Sequence, residues 1–278
     1  MALSLFLEVT FDPGPLWSIK IFGHGQEILS REPDNLIWQT AELLYRTVTG
    51  EPMPTGQITI TSQIPLGKGL GSSAAAIVAG LLLANSLLAE PLSRYDLLQW
   101  ASRLEGHADN AAAALYGGFI LAWSDTNSEV HIRHYPPPNL AVVVAVPSYP
   151  VSTRDARKIL PNQVSRQDAI FNAQRMALWL HAVTQKDWSV LGDASADRLH
   201  QSYRQGLNPH MQLLFDQALA AGAYAAVLSG SGPAVMALAS HEQSPAIVKR
   251  WALTNEMEVI VTTPDPDPAY ATEIPNVH

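Results

Sequence analysis

The sequence predicts an α+β chain, and three observations carry that prediction. Short segments rich in β-branched residues are interleaved with helical patterns along the whole length. No Pro/Gly/Ser-rich linker marks a clean boundary, which suits two intimately packed lobes. Of the 278 residues 47% are apolar and only 15% charged, enough to bury a sizeable core.

The elements follow in order. Leu5, Leu7 and Val9 alternate as in a strand, and Ser18 to Phe22 reads as a second strand closed by Gly23 and Gly25. Asn35 can cap a helix carrying Leu36, Ile37, Leu43, Leu44 and Val48, which stops at Gly50. Gln57 to Thr61 is a strand that runs into PLGKGLGSSAAA. Ser72 or Ser73 can cap the long Ala/Leu helix that follows, expected to reach Ala89 before Pro91 breaks it. A helix covers Tyr95 to Leu104, and strands follow at Phe119 to Trp123, Val130 to Tyr135 and Leu140 to Val146. From Ser152 to about Ala221 the pattern is helical. Two strands, Tyr224 to Leu228 and Ala234 to Ala239, flank the turn SGSGP. A helix near Pro245 to Leu253 and a strand from Glu258 to Thr262 complete the ordered chain, and the Pro-rich tail reads as loose.

Composition excludes several functions. The net charge is −8 with no polybasic run, so the basic patch that nucleic acid requires is missing. The chain has no cysteine, which removes disulfides, cysteine-zinc sites and a catalytic thiolate. The start MALSLFLEVTFD has no basic n-region, so it is a poor signal peptide. The long uncharged run from residue 69 to 89 opens with glycine and serine and reads as a buried helix, not a membrane span. A cytoplasmic location suits these features.

Four stretches can carry chemistry. PLGKGLGSSAAA fails the Walker A pattern because Gly69 follows Gly67-Lys68, and fails the dinucleotide fingerprint because Ser72 stands where a third glycine belongs. The nucleophile-elbow pattern fails at both serines as well. What survives is physical. Glycines let the backbone approach an anion, a helix start offers free N–H groups, and serine hydroxyls reach a phosphate oxygen or a metal ion. A serine-capped turn without a ligand fits these residues equally well. EGHADN (105–110) could hold Mg²⁺ through a carboxylate and a polar substrate through its histidine and amide, or could be a polar helix end. STRDARKILP (152–161) opens a helix with arginines suited to anions or to solvent. LSGSGPAV (228–235), taken alone, is a hairpin turn.

Together, in this order, these stretches resemble the GHMP kinases. PLGKGLGSSAAA looks like their central phosphate loop and LSGSGPAV like their third motif. EGHADNAAAALYGG, STRDARKILP, FNAQR (171–175) and DRLHQSYRQGLNP (197–209) are similar to the homoserine kinase form. The resemblance implies a ribosomal protein S5 domain 2-like lobe at 1–135 and a ferredoxin-like lobe at 136–278. It implies transfer of phosphate from ATP to the hydroxyl of L-homoserine, giving O-phospho-L-homoserine on the route to threonine. Alternatives are another GHMP kinase of a small alcohol and a catalytically weak nucleotide-binding relative.

The resemblance also assigns residues. Pro65, Leu66, Gly67, Lys68, Gly69, Leu70, Gly71, Ser72, Ser73, Ala74 and Ala75 form the ATP loop, with Gly230 and Gly232 shaping the turn beside it. Ser72 and Glu105 would hold Mg²⁺. His107, Asp109 and Asn110 match the acceptor side, with Asn110 the leading homoserine contact and Asp109 the formal candidate for general base. Thr153 and Arg157 match a segment near the γ-phosphate, where Arg157 also faces the substrate, and Arg204 would pair with the homoserine carboxylate. Lys68 is left between a phosphate contact and a solvent-facing side chain. A homodimer is compatible with the resemblance, which leaves the oligomeric state open.

One departure stands out. Homoserine kinases start with a strand and turn reading like Ala-Asn-Leu-Gly-Pro-Gly-Phe-Asp, and this sequence begins after it, at MALSLFLEVTF. FDPGP (11–15) lies beyond the strand and is no substitute. The expectation is that the 278-residue chain is weakly active and less stable, through a late start or a true truncation.

Overall fold

The computed structural model describes residues 1–149, 151, 153–254 and 257–273, except for the side chains of Thr153, Arg154 and Asp155. The chain forms two compact units. The first comprises Met1–Pro65, Gly71–His134 and the stretch from Asp265 onward; the second comprises Leu66–Leu70 and Tyr135–Pro264. Neither is one continuous stretch: five residues of the glycine loop belong to the second unit, and the C-terminal segment belongs to the first.

In the first unit, β1 (Leu7–Pro13), β2 (Ser18–Gly23) and β3 (Gly56–Ser62) form a sheet in the order β1-β3-β2. β1 runs antiparallel to β3, and β2 runs parallel to it. A parallel neighbour needs a crossover, which α1 (Leu36–Thr49) supplies. Asn35 caps α1 as expected, accepting from the Ile37 N–H at 3.0 Å, and Gly50 closes it in the left-handed region. Ile58 and Ile60 of β3 are fully buried beneath α1 and α2 (Ser72–Ser86). α2 packs closely on α1. A Cβ at Gly80 would lie 2.5 Å from the Ile37 carbonyl oxygen and 2.8 Å from Thr40 Cβ, so only glycine fits that crossing. α3 (Arg94–Glu105) opens with a capping box between Ser93 and Asp96. α4 (Asp109–Tyr116) and the two-stranded sheet of β4 (Phe119–Ser124) and β5 (Val130–Tyr135) follow.

The second unit has one sheet. β6 (Ala141–Pro147) is buried along its whole length. α5 (Thr153–Lys158), α6 (Arg166–Gln185), α7 (Leu191–Ala194), α8 (Gln201–Arg204) and α9 (Met211–Ala220) lead to β7 (Ala225–Leu228) and β8 (Val235–Ala239). α10 (Ser244–Trp251) then precedes β9 (Met257–Thr262). The order is β7-β8-β6-β9 and every pair is antiparallel. Numbered within the unit, that is second-third-first-fourth, the ferredoxin-like split βαβ arrangement. Trp251 is fully buried in its core, and its indole N–H donates to the Leu214 carbonyl at 3.1 Å.

The structure corrects three local expectations. α2 is capped by Gly71 in the left-handed conformation, with no side-chain cap from Ser72 or Ser73. It ends at Ser86, not Ala89, because the Asn85 amide turns the chain by accepting from the Leu92 N–H at 2.7 Å and donating to the Leu92 carbonyl at 3.2 Å. The tail is not loose where it is described. The Asp265 N–H donates to Ala2 O and its carbonyl accepts from Gly118, while Arg94 donates to Ala269 O at 2.8 Å. A Pro-rich segment can be fixed this way because its carbonyls accept without an N–H ladder of its own.

Candidate active site

The glycine loop divides into two differently built halves. Leu66–Leu70, in the second unit, lies against the SGSGP turn between β7 and β8. The Ser229 hydroxyl donates to Gly69 O at 2.8 Å, and the Ala234 N–H donates to Lys68 O at 3.1 Å. Gly69 has φ +79°, and a Cβ there would lie 2.0 Å from Ser229 O and 2.7 Å from Gly232 N. A side chain is thus excluded by both conformation and space. Gly230 is exposed and Gly232 buried, so the turn presents one glycine outward while the other packs against Leu228.

The structure corrects one of the two expectations for Lys68: it does not face solvent. Its side chain is buried, and the ammonium donates to three successive carbonyls: Pro147 at 2.6 Å, Ser148 at 2.9 Å and Tyr149 at 2.7 Å. An ammonium has three N–H donors, and all three are used. Burial pushes its pKa below the ordinary lysine value.

The other half, from Gly71 onward, belongs to the first unit. Here α2 begins without a side-chain cap. The first N–H groups of a helix have no intrahelical acceptor, and the dipole makes this end electropositive. Ser73, the second residue of the helix, is exposed and donates its hydroxyl to Glu105 Oε1 at 2.6 Å. Sequence reasoning placed Ser72 with Glu105 at Mg²⁺; the hydroxyl that bonds Glu105 is that of Ser73. Two adjacent serines at a helix start point 100° apart, and only tertiary placement decides which faces α3.

EGHADN is the turn between α3 and α4. The Glu105 side chain, 11% exposed, ends α3. His107 Nδ1 lies 2.6 Å from Asp109 Oδ1, and its Nε2 lies 3.8 Å from Glu105 Oε1. Asp109 Oδ1 also accepts from the Asn110 N–H at 2.8 Å. The histidine therefore bridges two carboxylates and orders the turn. The Asn110 side chain lies beside Gly71, whose hypothetical Cβ would be 3.7 Å from Asn110 Cγ. Ser73, Glu105, His107, Asp109 and Asn110 are thus brought together within one unit.

Within the second unit, Arg204 is buried. Its Nε donates to Ala156 O in α5 at 3.0 Å, and its Nη1 donates to Gly230 O at 3.1 Å and to His200 Nδ1 at 3.2 Å. Burial lowers its pKa, and the Arg157 charge lowers it further. Two guanidiniums close enough to affect each other make a locally positive region suited to an anion. Arg157 itself is exposed. Thr153 begins α5, but its side chain lies outside the described residues. His200 is held below the ordinary histidine value by burial and by Arg204, against an opposing effect of Asp197. Its Nδ1 is then the acceptor for the Arg204 N–H. No helix among the described residues is long and apolar enough to cross a membrane.

Residues 35–118 match the model of the GHMP kinases N terminal domain, and residues 179–255 match that of the GHMP kinases C terminal domain. The chain is 38% identical over 269 residues to the homoserine kinase of Carboxydothermus hydrogenoformans, spanning 95% of this chain and 88% of that protein. It is 41% identical to the homoserine kinase of Caldanaerobacter subterraneus, spanning 90% of this chain and 80% of that one. Among solved structures it superposes on a homoserine kinase from Cytophaga hutchinsonii with a TM-score of 0.80 and 30% identity, covering 94% of this chain and 86% of that one. A mevalonate kinase at 15% identity and TM-score 0.73 shares the fold. The chain therefore belongs to the GHMP kinase family, in its homoserine kinase branch.

Proposed function

We infer that this chain transfers the γ-phosphoryl group of ATP to the side-chain hydroxyl of L-homoserine, giving O-phospho-L-homoserine and ADP. The observation that carries the reading is the Ser73–Glu105 pair at the uncapped start of α2. It sets a carboxylate and a hydroxyl beside N–H groups that favour anions. Identity to proteins called homoserine kinase over nine-tenths of the chain supports the acceptor.

The donor set fits Mg²⁺, a hard cation that takes one or two carboxylates together with phosphate oxygens. Glu105 would hold it with Ser73 or Ser72, and it would offset charge on the β- and γ-phosphates. The protein's own groups do the rest. The free N–H groups at the start of α2 bind the phosphates. Asn110 orients the homoserine hydroxyl, and Arg157 offsets charge spreading over the transferred group. His107 holds Asp109 and thereby the turn carrying Asn110. The hydroxyl oxygen forms the new bond to γ-phosphorus, the bond to the β,γ-bridging oxygen breaks, and the hydroxyl proton leaves to Asp109 or to water. We assign Arg204 to the homoserine carboxylate. Its guanidinium has five donors, more than its three acceptors among the described residues require.

Coupled ADP release with homoserine, with mevalonate and without acceptor tests the reading. Turnover with homoserine alone is expected. Turnover with mevalonate alone would assign another alcohol, and nucleotide binding without any turnover would assign a non-catalytic relative.

A further inference from the structure

Lys68 carries more than the reaction asks of it. A buried ammonium with no carboxylate partner among the described residues is costly, and its lowered pKa reflects that cost. What the charge gains is three carbonyls from consecutive residues, converging on one atom. Successive carbonyls in an extended chain point in alternating directions. Bringing those of Pro147, Ser148 and Tyr149 to one point curls the chain as it leaves β6, and the next described element is α5 with Arg157. A second bond fixes the same path from the loop side, where the Val151 N–H donates to Gly67 O at 3.3 Å.

The contact also closes a circuit. The Tyr149 hydroxyl donates to Asn208 Oδ1 at 3.0 Å, and Asn208 Nδ2 donates to Pro233 O at 2.5 Å. The neighbouring Ala234 N–H returns to Lys68 O at 3.1 Å. Asn208 is 1% exposed, so the amide at the centre of this ring is shielded from water, where hydrogen bonds hold geometry best. We propose that Lys68 is a positioning residue: it fastens the first half of the phosphate loop to Pro147, Ser148 and Tyr149, beside the Val151 bond to Gly67, so that the loop and the end of β6 form one rigid piece that sets the approach to α5. It touches no substrate and acts through Gly67, Gly69 and the placement of Arg157. The proposal rests on the kinase reading for its catalytic readout, but not for its structural one.

The test compares K68M, K68Q and K68R in the full chain. K68M keeps the apolar stem and removes every donor, so the loop shifts. The KM for ATP rises and kcat falls, each about tenfold, while the KM for homoserine changes by less than about twofold. K68R restores charge and donors and recovers both ATP constants to within about threefold, and K68Q falls between. Amide hydrogen exchange in K68M quickens about tenfold or more across 147–158 and stays unchanged in α3. Wild-type constants in a folded K68M would overturn the proposal. So would K68R as impaired as K68M, or exchange that quickens evenly through the second unit. If K68M and K68Q both fail to fold, Lys68 serves the fold alone and the proposal falls. If the wild type binds ATP but phosphorylates no homoserine, the acceptor reading fails separately. The dissociation constant for ATP and the exchange pattern then still decide the role of Lys68.

Discussion

The two halves of the glycine loop are adjacent in sequence and alike in composition, yet built for opposite ends. Leu66–Leu70 is surrounded by bonds that are already made: Lys68 to three carbonyls, Gly69 O to Ser229, Lys68 O to Ala234. Gly71–Ala75 begins with groups that are not. α2 has no side-chain cap, Ser73 is exposed, and the Asn110 amide stands beside Gly71. One half is held and the other is available. A phosphate loop needs both, because donors that bind an anion stabilise a transition state only if they are already in place when charge develops.

The same substitution on each side tests this division most directly. Gly69→Ala adds a methyl 2.0 Å from a backbone oxygen at φ +79°, so both strain and collision must be relieved by moving the SGSGP turn. A loss of about 4 kcal/mol or more is expected, with a large fall in the calorimetric midpoint. A loss below about 1 kcal/mol would mean that the held half is not held.

Next in size is Glu105→Gln. It keeps shape and the Ser73 contact but removes the charge proposed for Mg²⁺. A fall in kcat of about 10²- to 10³-fold is expected with an unchanged midpoint. Raising Mg²⁺ should recover part of it. A variant within about threefold of wild type would remove Glu105 from the metal site.

Gly71→Ala is the smaller counterpart of Gly69→Ala. Its φ is +76°, but the added methyl would lie 3.7 Å from Asn110, an ordinary contact. Only conformational strain remains, about 1–2 kcal/mol. The KM for ATP should rise modestly as Ser72 and Ser73 shift. If Gly71→Ala destabilises as much as Gly69→Ala, the two halves do not differ.

What the sequence disclosed follows the same division. The available half was legible, because glycine density, adjacent serines and a cluster such as EGHADN are side-chain signals with few other uses. α1 was legible to the residue, since Asn35 and Gly50 are strong start and stop signals. The held half was not. The partners of Lys68 are carbonyls about eighty positions away, and a carbonyl has no sequence signature. The tail failed for the same reason: Asp265 and Ala269 are fixed through their backbone, so their Pro-rich setting suggested a loose end. The choice of Ser73 over Ser72 depends on where α3 ends, which no local pattern encodes.

The smallest expected effect concerns pH and the second unit. His200 accepts from Arg204, which also holds Ala156 of α5 and Gly230 of the turn. Burial and the Arg204 charge keep its pKa below the ordinary value of 6.5, while Asp197 opposes them. The folded state therefore binds this proton less readily than the unfolded chain, so stability is lost as pH falls below about 6.5. Asp197 acts in the same direction, but only at lower pH, below the ordinary carboxylate value of 3.8. Burial would raise its pKa, but the N–H groups of Gln201 and His200 and the Asn172 amide hold it low, so it too favours the fold at higher pH. With the imidazole 36% exposed, solvent screens the effect, and the midpoint should fall by no more than a few degrees between pH 7.5 and 5.5. His200→Gln keeps an acceptor for Arg204 and cannot titrate, so it should flatten the part of the slope nearest pH 6.5. An unchanged slope would mean that Arg204 is held without His200, and that the closure from α5 to Gly230 needs only its two carbonyl bonds.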